Sequence, residues 1–293
     1  MSEIISLLSD ILCTSEDNIE LVNVLKSGLT NSSYLFQHDY KKYIFRCPGK
    51  GSKYLINRYQ EADVYRKISS ANISDKVIYI DPVKGYKITE YIEGARACNP
   101  HNVSDVVKCM QKLKNFHELK LEVRHEFDLF ECINFYESLR KGNVSEYADY
   151  DMVKQNVLSL KSYIEKNVHH ICLSHIDAIP DNFLIINNQE VCIIDWEYAA
   201  MQDPHVDIAM FAIYSGYNKE EVDRLIDIYF SGICDKYIRT KIYAYVSVCG
   251  LLWSNWCEYK HTLGANFGDY AKTQYEYAKG YYDIARKEIE SYA

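Results

Sequence analysis

The sequence predicts an α+β protein of two lobes, a small antiparallel sheet with one helix followed by a larger, mainly helical part. Three observations carry this. Between residues 19 and 91, short runs rich in β-branched and aromatic residues alternate with polar turns. From Asn102 onward, apolar positions recur every three to four residues, the period of a helix. The exception in that second half is a pair of short apolar runs, 183–186 and 191–194, separated by Asn187-Asn188, which reads as a hairpin.

The chain has 293 residues, 48% of them hydrophobic, enough to fill a sizeable core. A formal charge of −8 and the lack of any Lys/Arg block argue against nucleic acid or anionic lipid as a partner. Met1-Ser2-Glu3-Ile4 has no basic lead into a long apolar run, which argues against secretion. The longest mostly apolar tract, 244–253, is too short to cross a bilayer, so no membrane insertion is expected. Ten cysteines lie scattered without Cys-x-x-Cys or zinc spacing and read as reduced thiols of a cytoplasmic protein. The 27 tyrosines crowd toward the C-terminus, and their apolar bodies and polar tips suit a core or a wet cavity wall.

In chain order, residues 2–13 form an amphipathic helix through Ile4, Ile5, Leu7, Leu8, Ile11 and Leu12. Strands follow at 19–25, 33–37 and 43–47, then a helix at 55–69 and strands at 76–80 and 86–91, completing a five-stranded sheet. The lobe boundary falls after Ile92, giving residues 1–92 and 93–293. Helices are expected at 102–119, through Val103, Val106, Val107, Met110, Leu113 and Phe116, and at 127–140 and 150–167. Asp203-Pro204 opens another, within which Asp207 is expected to turn back and brace the loop before the hairpin by hydrogen bonds. Long helices at 236–260 and 269–291 finish the chain.

The loop feeding the hairpin reads His175-x-Asp177-x-x-x-x-Asn182, and Asp195 follows at the exit of the second run. Taken singly these are a turn residue and two strand caps. Together they have the spacing phosphoryl transfer requires, in which one carboxylate orients the attacking hydroxyl while an amide and a second carboxylate hold Mg²⁺ on the phosphates. In that reading the loop from Lys26 to Ser32, with its single Gly28, is either an ordinary hairpin loop or a cover for nucleotide phosphates through Asn31 and Ser32. Arg46 and Glu61 are either solvated charges or a pair that presents a guanidinium fork to the phosphates. Glu90, Tyr91 and Ile92 would read an adenine through backbone groups.

The motifs Gly28-Leu29-Thr30-Asn31, Leu55-Ile56-Asn57-Arg58, Glu90-Tyr91-Ile92-Glu93, His175-Ile176-Asp177, Pro180-Asp181-Asn182-Phe183, Ile194-Asp195-Trp196-Glu197-Tyr198, Leu252-Trp253-Ser254-Asn255-Trp256 and Phe267-Gly268-Asp269-Tyr270 run over nearly the whole chain. Through them it resembles the choline kinases, most closely the bacterial, LicA-type ones. Their superfamily includes the aminoglycoside phosphotransferases and has a two-lobed, protein-kinase-like fold. The resemblance implies ATP and choline as substrates and Mg²⁺ as cofactor. It implies Asp177 as base within a loop that includes His175, Asn182 and Asp195 as metal ligands, and Arg46 with Glu61 for the phosphates. Trp253, Trp256 and Tyr270, with Tyr198 and Glu197, would hold choline. Ile176 in place of Arg, Asp195 followed by Trp-Glu and Arg46 in place of Lys depart from protein kinases and exclude their activation-loop logic.

Choline carries a fixed positive charge with no N–H donor, so its recognition must rest on π-faces and longer-range negative charge. Trp253 and Trp256, three apart on an expected helix, share one face and suit that task, although such spacing also serves core packing. Ethanolamine, a methylated ethanolamine or an aminoglycoside is the rival acceptor. A silent nucleotide- or amine-binding module is the rival class, and the intact Asp177, Asn182 and Asp195 speak against it.

Overall fold

The computed structural model describes residues 2–27, 31–49, 54–140, 142 and 144–292. By packing, the chain divides into two compact units, Met1–Ala95 with Cys192–Glu197, and Arg96–Val191 with Tyr198–Ala293.

In the first unit helix α1 (Ser2–Leu12) precedes strands β1 (Ile19–Ser27), β2 (Asn31–His38) and β3 (Lys41–Pro48). Helix α2 (Arg58–Ile68) then leads to β4 (Val77–Asp81) and β5 (Tyr86–Glu90). The five strands form one antiparallel sheet in the order β1-β2-β3-β5-β4. Alternation along β3 sends Phe45 to one face and Arg46 to the other. Phe45 joins Leu8, Ile19, Phe36 and Ile88 in a core closed by α1. On the opposite face the register sets Arg46 against Lys87 of β5, two like charges side by side. Such a pair needs an anion, and α2 supplies Glu61. The helix starts where Asn57 accepts hydrogen bonds from the N–H groups of Tyr59 and Gln60, and it buries Glu61, Ala62, Val64, Tyr65 and Ile68.

The second unit holds the short strand β6 (Arg96–Ala97) and helices α3 (Val103–Glu118), α4 (Leu129–Leu139), α5 (Tyr150–Ser159) and α6 (Lys161–Lys166). Strands β7 (Cys172–Ser174), β8 (Phe183–Ile186), β9 (Glu190–Ile193) and β10 (Ala200–Gln202) follow in the chain, β8 and β9 being the runs of the expected hairpin. Helices α7 (His205–Tyr214), α8 (Lys219–Tyr229), α9 (Lys236–Thr262) and α10 (Tyr270–Glu290) complete the chain. Asn187 and Asn188 both take positive φ, 49° and 56°, as a two-residue hairpin turn requires. Helix α9 is buried over most of its length. It carries Gly250 where a Cβ would lie 2.7 Å from the Gln274 carbonyl oxygen of α10, so only glycine permits this approach.

Three features differ from the sequence expectation. The helix expected over 150–167 breaks into α5 and α6 at Leu160, whose N–H turns to the Val157 carbonyl. Helix α8 was not anticipated, although Asn218 and Glu221 form a capping box that marks its start in the sequence. The pair β7–β10 has three residues in each strand, too few to show a period. Among the described residues no helix is long and apolar enough to cross a membrane.

Candidate active site

The first unit concentrates its polar chemistry around Arg46, buried on β3. Arg46 Nη2 donates to Glu61 at 2.7 Å, and Nη1 reaches Glu197 at 3.2 Å and Asp195 at 3.4 Å. Arg58, at the start of α2, donates to Glu61 at 2.7 Å, to Glu197 at 2.9 Å and to the Asn31 side chain at 2.8 Å. Asn31 in turn donates to Glu197 at 2.8 Å. Lys87 adds a third cation, 3.3 Å from Glu61 and 2.6 Å from the Tyr65 hydroxyl. Burial alone would raise the Glu61 pKa, but Lys87, Arg46 and Arg58 together drive it far below the ordinary carboxylate range. Glu197 responds the other way, because burial and the neighbouring Asp195 outweigh Arg46 and Arg58 and raise its pKa.

Asp195 differs from its two acidic neighbours. Its side chain is 33% exposed, against 1% for Glu61 and 5% for Glu197. Its backbone takes φ +64°, a left-handed conformation that turns the chain as it leaves β9. Ile193 is anchored by its N–H to the Ile73 carbonyl, and Trp196, fully buried, donates its indole N–H to the Ile193 carbonyl.

In the second unit the loop after β7 is held by Asp207 on α7. One carboxylate accepts the N–H of His175 at 2.8 Å and that of Ile176 at 2.7 Å. The same carboxylate lies 2.9 Å from His117 Nε2, and His117 Nδ1 lies 2.8 Å from the Tyr229 hydroxyl. Asp207 therefore braces the loop, as its place in the sequence suggested. Ile176 is fully buried with φ +68°, a strained conformation for a β-branched residue, and the paired bonds from Asp207 hold it there. Asp177 follows directly. Asn182 Nδ2 donates to the Asp177 carbonyl at 2.8 Å and to its carboxylate at 3.3 Å.

The aromatic residues of this unit form a chain of edge contacts. Tyr198 meets Trp253 at 5.6 Å and 85°, Trp253 meets Trp256 at 5.6 Å and 66°, and Trp256 meets Phe267 at 5.3 Å. Trp253 is 5% exposed and donates its indole N–H to the Met210 sulfur, whereas Trp256 is half-buried. Tyr270 packs against Tyr214 at 5.7 Å. Burial raises the phenol pKa values of Tyr136, Tyr214 and Tyr270, and in each the Asp177 carboxylate adds a smaller push in the same direction.

Several expected site residues have partners of their own in the structure. Glu197 was grouped with the aromatic residues, but its carboxylate is taken up by Arg46, Arg58 and Asn31. Asn31 and Ser32 are strand residues of β2, paired with Pro48 and Cys47, while Gly28, Leu29 and Thr30 of the same loop lie outside the described residues. Around the adenine segment, the N–H of Glu90 is donated to the Lys76 carbonyl and that of Tyr91 to the Lys42 carbonyl. Arg58, Lys87, Tyr136 and Tyr214 escaped the sequence reading as site residues. Arg58 stood in a quoted motif without a role, and no local pattern distinguishes Lys87 or the two tyrosines.

The chain matches the choline/ethanolamine kinase family over residues 22–233 and belongs to it. It is 28% identical over 259 residues to protein LicA of Haemophilus influenzae, covering 83% of this chain and 75% of that protein. It also matches the crystal structure of the choline kinase LicA from Streptococcus pneumoniae with TM-score 0.83 and 30% identity, over 97% of this chain and 98% of that one. A structure of LicA in complex with AMP matches with TM-score 0.80 and 30% identity, over 99% and 98% of the two chains. The fold is thus protein-kinase-like, and the protein is a small-molecule kinase that uses ATP.

Proposed function

We propose that the protein is a cytoplasmic choline kinase, transferring the γ-phosphoryl group of ATP to the hydroxyl of choline to give phosphocholine and ADP. The observation that carries the choice of acceptor is the placing of rings in the second unit. Tyr198, Trp253, Trp256 and Phe267 run on as contiguous ring contacts, and Tyr270 packs against Tyr214, whose hydroxyl donates to Asp181 in the loop that carries Asp177. Each ring facing a quaternary ammonium group contributes roughly 0.5–2 kcal/mol, so three supply a useful affinity without any hydrogen bond to nitrogen.

In this reading Asp177 accepts a hydrogen bond from the choline hydroxyl and takes its proton as the oxygen attacks the γ-phosphorus. Asn182 and the brace from Asp207 fix where that carboxylate stands. Arg46, steered by Glu61 and Glu197, would meet the phosphates as a charged fork that cannot lose its proton. Glu90 and Tyr91 commit their N–H groups to Lys76 and Lys42, so among the described residues the N–H of Ile92 is the donor of this segment left for an adenine. Of the oxygen donors that the resemblance implies for Mg²⁺, Asp195 of the first unit keeps an accessible carboxylate, and Asn182 of the second commits its amide nitrogen to Asp177. Mg²⁺ held by such donors would neutralise charge on the phosphates.

A coupled ADP-release assay with choline, ethanolamine and kanamycin offered separately tests the proposal. Choline should give the highest kcat/KM. A clear preference for either of the others would overturn the choice of acceptor while leaving the kinase assignment in place.

A further inference from the structure

Helix α7 grips the loop around Asp177 at two points. At its N-terminal end Asp207 takes the N–H groups of His175 and Ile176. Seven residues on, two turns or ~10.5 Å along the same helix, the hydroxyl of Tyr214 donates to Asp181 Oδ2 at 3.1 Å. Asp177 therefore lies in a short span whose two ends are tied to one rigid element. The second tie reaches further, because the Tyr214 ring also packs at 63° against Tyr270, the first residue of α10.

Tyr270 needs such support. It follows Gly264 and Gly268, both with positive φ, in the turn between α9 and α10. The residue that caps α10, Asp269, makes no side-chain hydrogen bond to the helix start. The ring is thus placed by neighbours, and Tyr214 is the neighbour that is itself fixed to the catalytic loop. We propose that Asp181 and Tyr214 are positioning residues that set the affinity for the cationic acceptor, Asp181 orienting Tyr214 and Tyr214 holding the Tyr270 ring where the ammonium group is received. The inference rests on the choline kinase reading and assigns Asp181 a part distinct from those of Asp177 and Asn182. Asp181 is exposed and acts through an accepted hydrogen bond.

The test uses the full-length chain with Tyr214→Phe, Asp181→Ala and Asp181→Asn, measuring kcat, both KM values and Tm for each. Tyr214→Phe and Asp181→Ala should raise the KM for choline about three- to tenfold, with kcat, the KM for ATP and Tm near wild type. Asp181→Asn should stay within about twofold of wild type, since its amide oxygen still accepts from Tyr214. An unchanged choline KM in Tyr214→Phe and Asp181→Ala overturns the proposal. So does Asp181→Asn as impaired as Asp181→Ala beside a normal Tyr214→Phe, which would mean that the charge itself attracts the substrate. A loss shared equally by ATP KM and Tm overturns it as well, as mere destabilisation. Failure of the underlying reading shows separately, as a wild-type enzyme that does not turn over choline; the same variants are then judged by the same criteria on the acceptor it does use.

Discussion

The cluster around Arg46 and the cluster around Trp253 are both buried, yet they are held together by opposite means. The first sets Arg46, Arg58 and Lys87 against Glu61, Glu197 and Asp195, with distances of 2.7–3.4 Å. Each ion there is tolerable only because its partners are present, so the arrangement is brittle to the loss of any one. The second joins rings by edge contacts whose individual worth is small and whose loss leaves a hole or an open wall. A brittle charge network suits phosphate binding, where donors must stand in fixed directions. A wall of rings suits a cation that offers no hydrogen bond.

The largest expected effect probes that brittleness. Glu61→Gln leaves the buried Arg46 and Lys87 and the part-buried Arg58 with two acids and should cost about 3–5 kcal/mol of stability. Denaturant unfolding that shows less than about 1 kcal/mol would mean that water or relaxation satisfies the site, and the contrast between the clusters would weaken.

Acid should separate the two units. The depressed pKa of Glu61 means its contribution is complete above the unfolded value and is lost only as pH falls through a much lower folded value. His205 behaves differently. Burial lowers its pKa from 6.5 to about 4, with Asp203 opposing and Lys241 and His117 assisting. Because the unfolded chain takes up a proton that the folded one refuses, stability should fall as pH drops from about 6.5 toward 4, by up to ~3 kcal/mol. Melting curves across that range should flatten in His205→Gln, and an equally steep decline in the variant would remove His205 as the cause.

Asp177→Asn should lower kcat by at least about a hundredfold, ~2.7 kcal/mol in barrier, with Tm unchanged. A variant retaining a tenth of wild-type turnover would refute its assignment as base.

The smallest effect divides the two tryptophans. Trp256, half-buried, should when changed to Ala raise the choline KM about tenfold, ~1.4 kcal/mol, with the KM for ATP unchanged. Trp253, at 5% exposure and bonded to Met210, should when changed to Ala lower Tm as well. Identical behaviour of the two variants would place both in the core.

Much of this was legible because it is local. The alternating runs that became β2, β3 and β5 carry their period within a few residues. The stripe of α3 carries its period within two turns, and the left-handed Asn187-Asn188 turn is written in its own side chains. The spacing of Asp177, Asn182 and Asp195 is likewise a property of one stretch of chain. What was not legible depends on partners far apart in sequence. Nothing near Glu197 says that its carboxylate turns to Arg46 and Arg58, 151 and 139 residues away, rather than to the aromatic group beside Tyr198. Nothing near Lys87 says that strand register sets it beside Arg46 and so forces Glu61 inward. Tyr214 has no local signal at all, since its meaning comes from Asp181 and Tyr270, which only the packing of α7 brings to it. Hydrophobic period and turn chemistry are short-range and survive in the sequence. The destination of a buried charge or ring is decided by which other groups share its small volume, and that is settled only when the chain packs.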